Sequence, residues 1–276
     1  MIYLLSREGR EALRVVAKHS RILFAFDFDG TLAGISPDRE GVKLSPSTHG
    51  WLHELASRVP CAIVSGRALG DLRPRVNGAV TFLIGNHGLE SPLTPAAALG
   101  MAERVCLEWM TRLETDLAHP FKDTGAEVEN KRYSLTVHYR ETDEADRVQQ
   151  ALVLLLNRLT PAPRLLLGRE SVNVLPPGSR GKGEASLAMM SHLRCTGLFF
   201  VGDDETDEDV FGLKEGLIMG VRVGPKPESR ARYYLKHQSE MEDVIQFLVH
   251  RIDRTPESAD EDEREAGRSS EAANEF

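Results

Sequence analysis

Ile22-Leu23-Phe24-Ala25-Phe26-Asp27-Phe28-Asp29-Gly30-Thr31-Leu32 decides how this chain is read. Five apolar residues run straight into two carboxylates, a glycine and a hydroxyl. A continuous apolar run ended by turn residues reads as a strand buried on both faces in a parallel sheet. Asp27 and Asp29 are two apart, so they point to one side while the strand geometry lasts. Gly30 lets the backbone turn tightly beyond them. Two acids then stand at the carboxyl end of a central strand, where open α/β sheets hold their ligands. Such a pair suits phosphoryl transfer. One carboxylate attacks phosphorus and carries a covalent aspartyl phosphate; the other protonates the leaving oxygen and later takes a proton from water. Two acids and a phosphate repel, which calls for a cation, and Mg²⁺ held by few carboxylates plus phosphate oxygens fits. The plainer reading, a strand ending in a polar turn, is set against three further segments.

Each of those segments also follows an apolar strand or opens a helix. Cys61-Ala62-Ile63-Val64 runs into Ser65-Gly66-Arg67. The Ser65 hydroxyl can donate to a phosphate oxygen, or serve an ordinary turn. Lys182, between Gly181 and Gly183, opens a helix. It can neutralise phosphoryl charge and hold Asp27, or be a solvated surface lysine. Leu198-Phe199-Phe200-Val201 runs into Gly202-Asp203-Asp204-Glu205-Thr206-Asp207. Asp203 and Asp207 share a face if a helix starts there. Thr206 with Asp209 resembles a capping box, which accounts for Glu208 and Asp209. It does not account for Asp203 and Asp204, which read as metal ligands. A further strand, Val80 to Ile84, ends in Gly85-Asn86-His87-Gly88; His87 reaches substrate or structures its loop, and His138 reads as structural.

Composition bounds the rest. A chain of 276 residues makes one large or two ordinary domains. Its 41% hydrophobic and 28% charged content is that of a soluble globular protein. There is no apolar run of membrane-spanning length, and the first residues are too short an apolar run for a signal peptide. Three isolated cysteines, Cys61, Cys106 and Cys195, give neither a disulfide framework nor a zinc spacing, so a reducing cytoplasmic location is expected. Residues 253–276 carry nine acids against three arginines; of the net charge of −8, that segment holds −6, leaving −2 on the body. It reads as a disordered acidic tail. With no basic stripe, nucleic acid is not expected as a partner, and a monomer is.

The rhythm of buried strands breaks in the middle. Residues 96–118 read as one long helix. Val128 to Arg140 alternates with period 2 and reads as one half-exposed antiparallel strand, with Glu129 and Lys131 sharing parity with Tyr133 and Leu135. A helix over 143–159 and short strands at 165–167 and 172–175 follow. These predict an inserted α+β domain over 93–171 in a catalytic core made of 1–92 and 172–252.

In their order, Asp27-Phe28-Asp29-Gly30-Thr31, Ser65, Lys182 and Gly202-Asp203-Asp204 with Asp207 resemble the four-motif set of the haloacid dehalogenase superfamily. Asp29 matches its phosphatases, and the insert matches its larger α+β cap. The resemblance implies an α/β, Rossmann-like core. More narrowly, the chain is similar to bacterial trehalose-6-phosphate phosphatases over roughly residues 20–252. The stretches are Asp27 to Ala33, Ile63 to Arg67, Gly85 to Gly88 with Glu90, Glu129-Asn130-Lys131 leading to His138-Tyr139-Arg140, Lys182-Gly183, and Gly202 to Glu208.

The resemblance implies Mg²⁺ and roles for each position. Asp27 is nucleophile and metal ligand. Asp29 is acid/base, with its carbonyl on the metal. Asp203 is a direct ligand, supported by Asp204 and Asp207. Ser65 and Lys182 hold phosphate, with Thr31 and Gly66 beside them. Arg67, Asn86, His87, Glu129, Lys131 and Asn173 are the substrate-facing positions. One departure stands out. Many members carry a glutamate, which contacts the disaccharide, and a basic residue in the strand before the lysine; here Asn173 and Leu175 occupy those places. The expected activity is hydrolysis of trehalose 6-phosphate. The alternatives are another sugar phosphate, such as a glycosylglycerol phosphate, and a catalytically silent ligand-binding member of the fold.

Overall fold

A computed structural model describes residues 1–19, 21–36, 41–115, 117–139, 144–168, 170–214 and 216–252. The expected acidic tail and Arg140 lie outside the described residues.

Seven parallel strands form the larger sheet: β1 (Ile2–Tyr3), β2 (Ile22–Phe26), β3 (Cys61–Val64), β4 (Phe82–Ile84), β9 (Gly197–Gly202), β10 (Leu217–Val223) and β11 (Tyr233–Leu235). Their spatial order is β1-β11-β10-β9-β2-β3-β4. The apolar run of β2 is continuous because both of its faces are covered. Ile22, Phe24 and Phe26 pack into one core, and Leu23 and Ala25 into the other. Helices α1 (Arg7–Lys18), α2 (Pro46–Ala56), α3 (Leu69–Val76) and α9 (Met241–Ile252) bury apolar residues in the first core. Helices α7 (Gly181–His192) and α8 (Glu208–Phe211) do so in the second. No described helix is long and apolar enough to cross a membrane.

A second sheet is antiparallel, with order β5-β6-β8-β7: β5 (Glu127–Asn130), β6 (Leu135–His138), β7 (Arg164–Gly168) and β8 (Ser171–Leu175). Leu135, Val137, Val172 and Val174 pack on α4 (Ala96–Glu114) and α6 (Ala145–Leu156) through Cys106, Trp109, Leu152 and Leu156. Three expectations need correction here. The single strand over 128–140 is a hairpin, because the chain reverses at Lys131–Ser134. Asn130 Oδ1 accepts from the Arg132 amide at 2.8 Å, and Arg132 has φ +72°. Glu129 therefore stands opposite Thr136, on the face away from Leu135, not with it. The helix over 96–118 ends at Glu114, and a separate short helix, α5, covers Ala118–Lys122. Finally, all of β8 pairs within the small sheet, so a division at 171/172 would cut that strand; one after Leu175 respects the pairing.

Candidate active site

Because β9, β2, β3 and β4 are parallel neighbours, their carboxyl ends deliver Asp203, Asp27, Ser65 and Asn86 to one edge of the sheet. Asp27 follows β2 and is buried, its amide donating to Val201 O at 2.8 Å. Gly30 has φ +78°, and a Cβ there would lie 2.2 Å from Asp203 Oδ2. Only glycine lets the loop pass so close to that carboxylate. Thr31, fully buried, donates its hydroxyl to Asp203 Oδ1 at 3.2 Å. The residue expected beside phosphate thus orients an acid.

Lys182, in the first turn of α7, is buried between two carboxylates. Its Nζ donates to Asp27 Oδ1 at 2.8 Å and to Asp207 Oδ1 at 2.7 Å. The solvated-lysine alternative is excluded by that burial. Asp207 Oδ2 accepts from the Asp204 amide at 2.9 Å, and Asp204 in turn caps the turn at Glu205–Asp207. The capping box is therefore Asp204 with Asp207, not Thr206 with Asp209. Asp209 instead pairs with Arg164 of β7, Nη2 to Oδ2, at 2.9 Å.

Oxygens of Asp27, Asp203 and Asp207 lie within 4.8 Å of one another. One ammonium faces three acids there. Burial, then the neighbouring acids, push Asp27 well above the usual carboxylate range even against Lys182. Burial, with repulsion from Asp207 and Asp204, raises Asp203 to about 7. The surplus negative charge and the all-oxygen donor set fit a hard divalent cation.

Arg67, expected to face substrate, pairs with two carboxylates of the chain itself. Its guanidinium grips Asp29 with two bonds of 2.6 Å, Nε to Oδ2 and Nη2 to Oδ1, while Nη1 reaches Asp71 at 2.7 Å. Desolvation works against its charge, but the bonds to Asp29 and Asp71 outweigh it and raise its pKa. Ser65, at the end of β3, accepts from the Arg67 amide at 3.1 Å. Gly66 lies under the imidazole of His87, where a Cβ would come within 2.6 Å of Cε1. His87 is buried, and burial with the nearby cations Lys131, Lys182 and Arg164 keeps it neutral.

The small sheet covers this edge. Its hairpin turn docks on the loops after β3 and β4. Lys131 Nζ donates to Gly66 O at 3.1 Å, and Ser134 Oγ donates to Asn86 Oδ1 at 2.5 Å. Asn86 also donates to Glu90 Oε2 at 2.7 Å, so it joins the two parts of the molecule. Glu129 accepts from His138 at 2.9 Å. Asn173 is buried in β8, accepting from Thr136 Oγ1 at 2.9 Å, and Leu175 is buried beside it. Ser134 and Arg164 were not singled out in the sequence. Each lacks any local pattern, and only the folded arrangement brings it to Asn86 or Asp209.

Comparison with known proteins places this chain among relatives. The family model described as trehalose-phosphatase matches residues 25–239. The chain is 30% identical over 276 residues to a probable trehalose-phosphate phosphatase 9 of Oryza sativa, covering 87% of this chain and 72% of that protein. Among solved structures it resembles the C-terminal domain of C. albicans trehalose-6-phosphate phosphatase, with a TM-score of 0.74 at 22% identity, covering 88% and 97% of the two chains. A haloacid dehalogenase-like hydrolase from Bacteroides thetaiotaomicron shares the fold, with a TM-score of 0.55 at 14% identity, covering 82% and 98%.

Proposed function

The chain belongs to the trehalose-phosphatase family, and from that premise we propose that it hydrolyses trehalose 6-phosphate to trehalose and phosphate through an aspartyl phosphate on Asp27. The observation that carries the chemistry is the buried Asp27 carboxylate, held by Lys182 beside Asp203 and Asp207. A binding protein has no use for that costly cluster of buried acids.

Asp27 Oδ attacks phosphorus as the bond to the sugar oxygen breaks, and Asp29 gives that oxygen its proton. Asp29 then takes a proton from water, whose oxygen attacks phosphorus and frees Asp27 and inorganic phosphate. Two hydrogen bonds from Arg67 hold the Asp29 carboxyl in place at the edge of the site. Giving a proton in the first step requires Asp29 to leave Arg67. Asp27 and Asp203, with the Asp29 carbonyl, would hold Mg²⁺, and Asp207 and Asp204 orient the set. When bound, the ion neutralises phosphoryl oxygens. Ser65, the Gly66 backbone and Lys182 hold the phosphate. Glu129 and Lys131 of the small sheet read the sugar.

Asn173, tied to Thr136 inside the small sheet, supplies no carboxylate where many members have one. That favours testing a second class of substrate, other sugar phosphates. Phosphate release with Mg²⁺ from a panel including trehalose 6-phosphate, glucose 6-phosphate and a glycosylglycerol phosphate separates the two. Trehalose 6-phosphate is expected to give the highest kcat/KM; a tenfold preference for another member would overturn the substrate assignment.

A further inference from the structure

Glu129, Lys131 and His138 form a row on the small sheet. In the hairpin register Glu129 stands opposite Thr136 and Glu127 opposite His138, which sets His138 diagonal to Glu129 on one face. His138 Nε2 is 2.9 Å from Glu129 Oε2, and Lys131 Nζ is 3.9 Å from the same oxygen. Lys131 Nζ then reaches Gly66 O, the residue after Ser65. The row thus runs from the sheet to the proposed phosphate loop. An ionised carboxylate only accepts, so the imidazole donates its Nε2–H. The His138 side chain is 15% exposed and that of Glu129 45%. A glutamate so exposed has many rotamers open to it, and anchoring to a ring fixed in the sheet removes most of them.

We propose that His138 is a positioning residue for sugar recognition: it holds the Glu129 carboxylate in the rotamer that accepts hydrogen bonds from sugar hydroxyls. This rests on the reading of Glu129 as a sugar contact. His138 itself need touch no substrate atom, and its effect passes through Glu129 alone. Removing the imidazole donor then affects substrate affinity more than turnover, and has no further effect once Glu129 is gone.

The test is a double-mutant cycle on trehalose 6-phosphate with H138L, H138Q, E129A and the H138L/E129A pair. H138L is expected to raise KM about tenfold with kcat changed less than about threefold. H138Q keeps a side-chain N–H within reach of Glu129 and should restore KM to within about threefold of the parent. In the E129A background, H138L should add less than about twofold. Thermal unfolding verifies that each variant is folded; should H138L fail to fold, H138N, whose shorter amide stops short of Glu129, takes its place. A normal KM in H138L beside a raised KM in E129A would overturn the inference. So would a full H138L effect in the absence of Glu129, or an H138Q no better than H138L. An unchanged KM in E129A would overturn the reading of Glu129 and the inference with it.

Discussion

At the scale of single residues, Lys182 has the most to hold. Its ammonium lies between Asp27 and Asp207, all three buried, and the two carboxylates raise its pKa against the cost of desolvation. Removing one partner of a buried ion pair strands the other charge, at a cost of roughly 3–5 kcal/mol. Lys182→Met is therefore expected to lower unfolding stability by about 3 kcal/mol or more, measured by denaturant titration, and to abolish turnover. A loss under about 1 kcal/mol would show that Asp27 and Asp207 are neutralised in another way. Asp29→Asn removes the proposed acid and base while keeping the bulk that Arg67 grips. It should cost about 10²–10⁴ in kcat; a loss under tenfold would assign the proton transfers elsewhere. The role of Arg67 was not legible in the sequence. A residue after Ser65-Gly66 is as well placed for substrate as for Asp29, and the contact with Asp29 arises only from the pairing of β2 with β3.

At the scale of elements, legibility followed burial. The strands β2, β3 and β9 are apolar throughout because helices cover both faces, and such runs are readable from composition alone. The strands β1 and β11, two and three residues long at one side of the larger sheet, leave too short a pattern. The hairpin of β5 and β6 reads as one strand because Lys131, Tyr133 and Leu135 keep the alternation through the turn. The reversal is made by local contacts, the Asx contact at Asn130 and the backbone bonds from Lys131 N to Ser134 O and from Tyr133 N to Lys131 O. That hairpin carries the proposed sugar contacts. A hydrogen bond to substrate removed there costs about 1–3 kcal/mol, so Glu129→Ala and Lys131→Ala should each lower kcat/KM for trehalose 6-phosphate by about tenfold or more. With p-nitrophenyl phosphate, which offers no sugar hydroxyls to the hairpin, the loss should be several-fold smaller. Equal losses on both substrates, or none on either, would contradict sugar reading by this element.

At the scale of the whole molecule, hydrogen bonds mark two of the places where the small sheet meets the larger part among the described residues. One is the hairpin turn at Gly66 and Asn86. The other is Arg164, which donates to Ser179 O at 2.9 Å and Arg180 O at 3.0 Å and pairs with Asp209. These carbonyls belong to the connection between β8 and α7, so Arg164 fastens the return of the chain from one sheet to the other. Arg164→Ala is expected to speed limited proteolysis within residues 176–180 relative to the parent. Unchanged cleavage would show that packing alone holds the connection.

The central claim is that a buried carboxylate at the end of β2 attacks phosphorus. It is tested most directly by Asp27→Asn, assayed for phosphate release from trehalose 6-phosphate at saturating Mg²⁺. The amide keeps the shape of the side chain but is a far poorer nucleophile, so a fall in kcat of about 10³ or more is predicted, with the folded state retained. Turnover within tenfold of the parent would contradict the account.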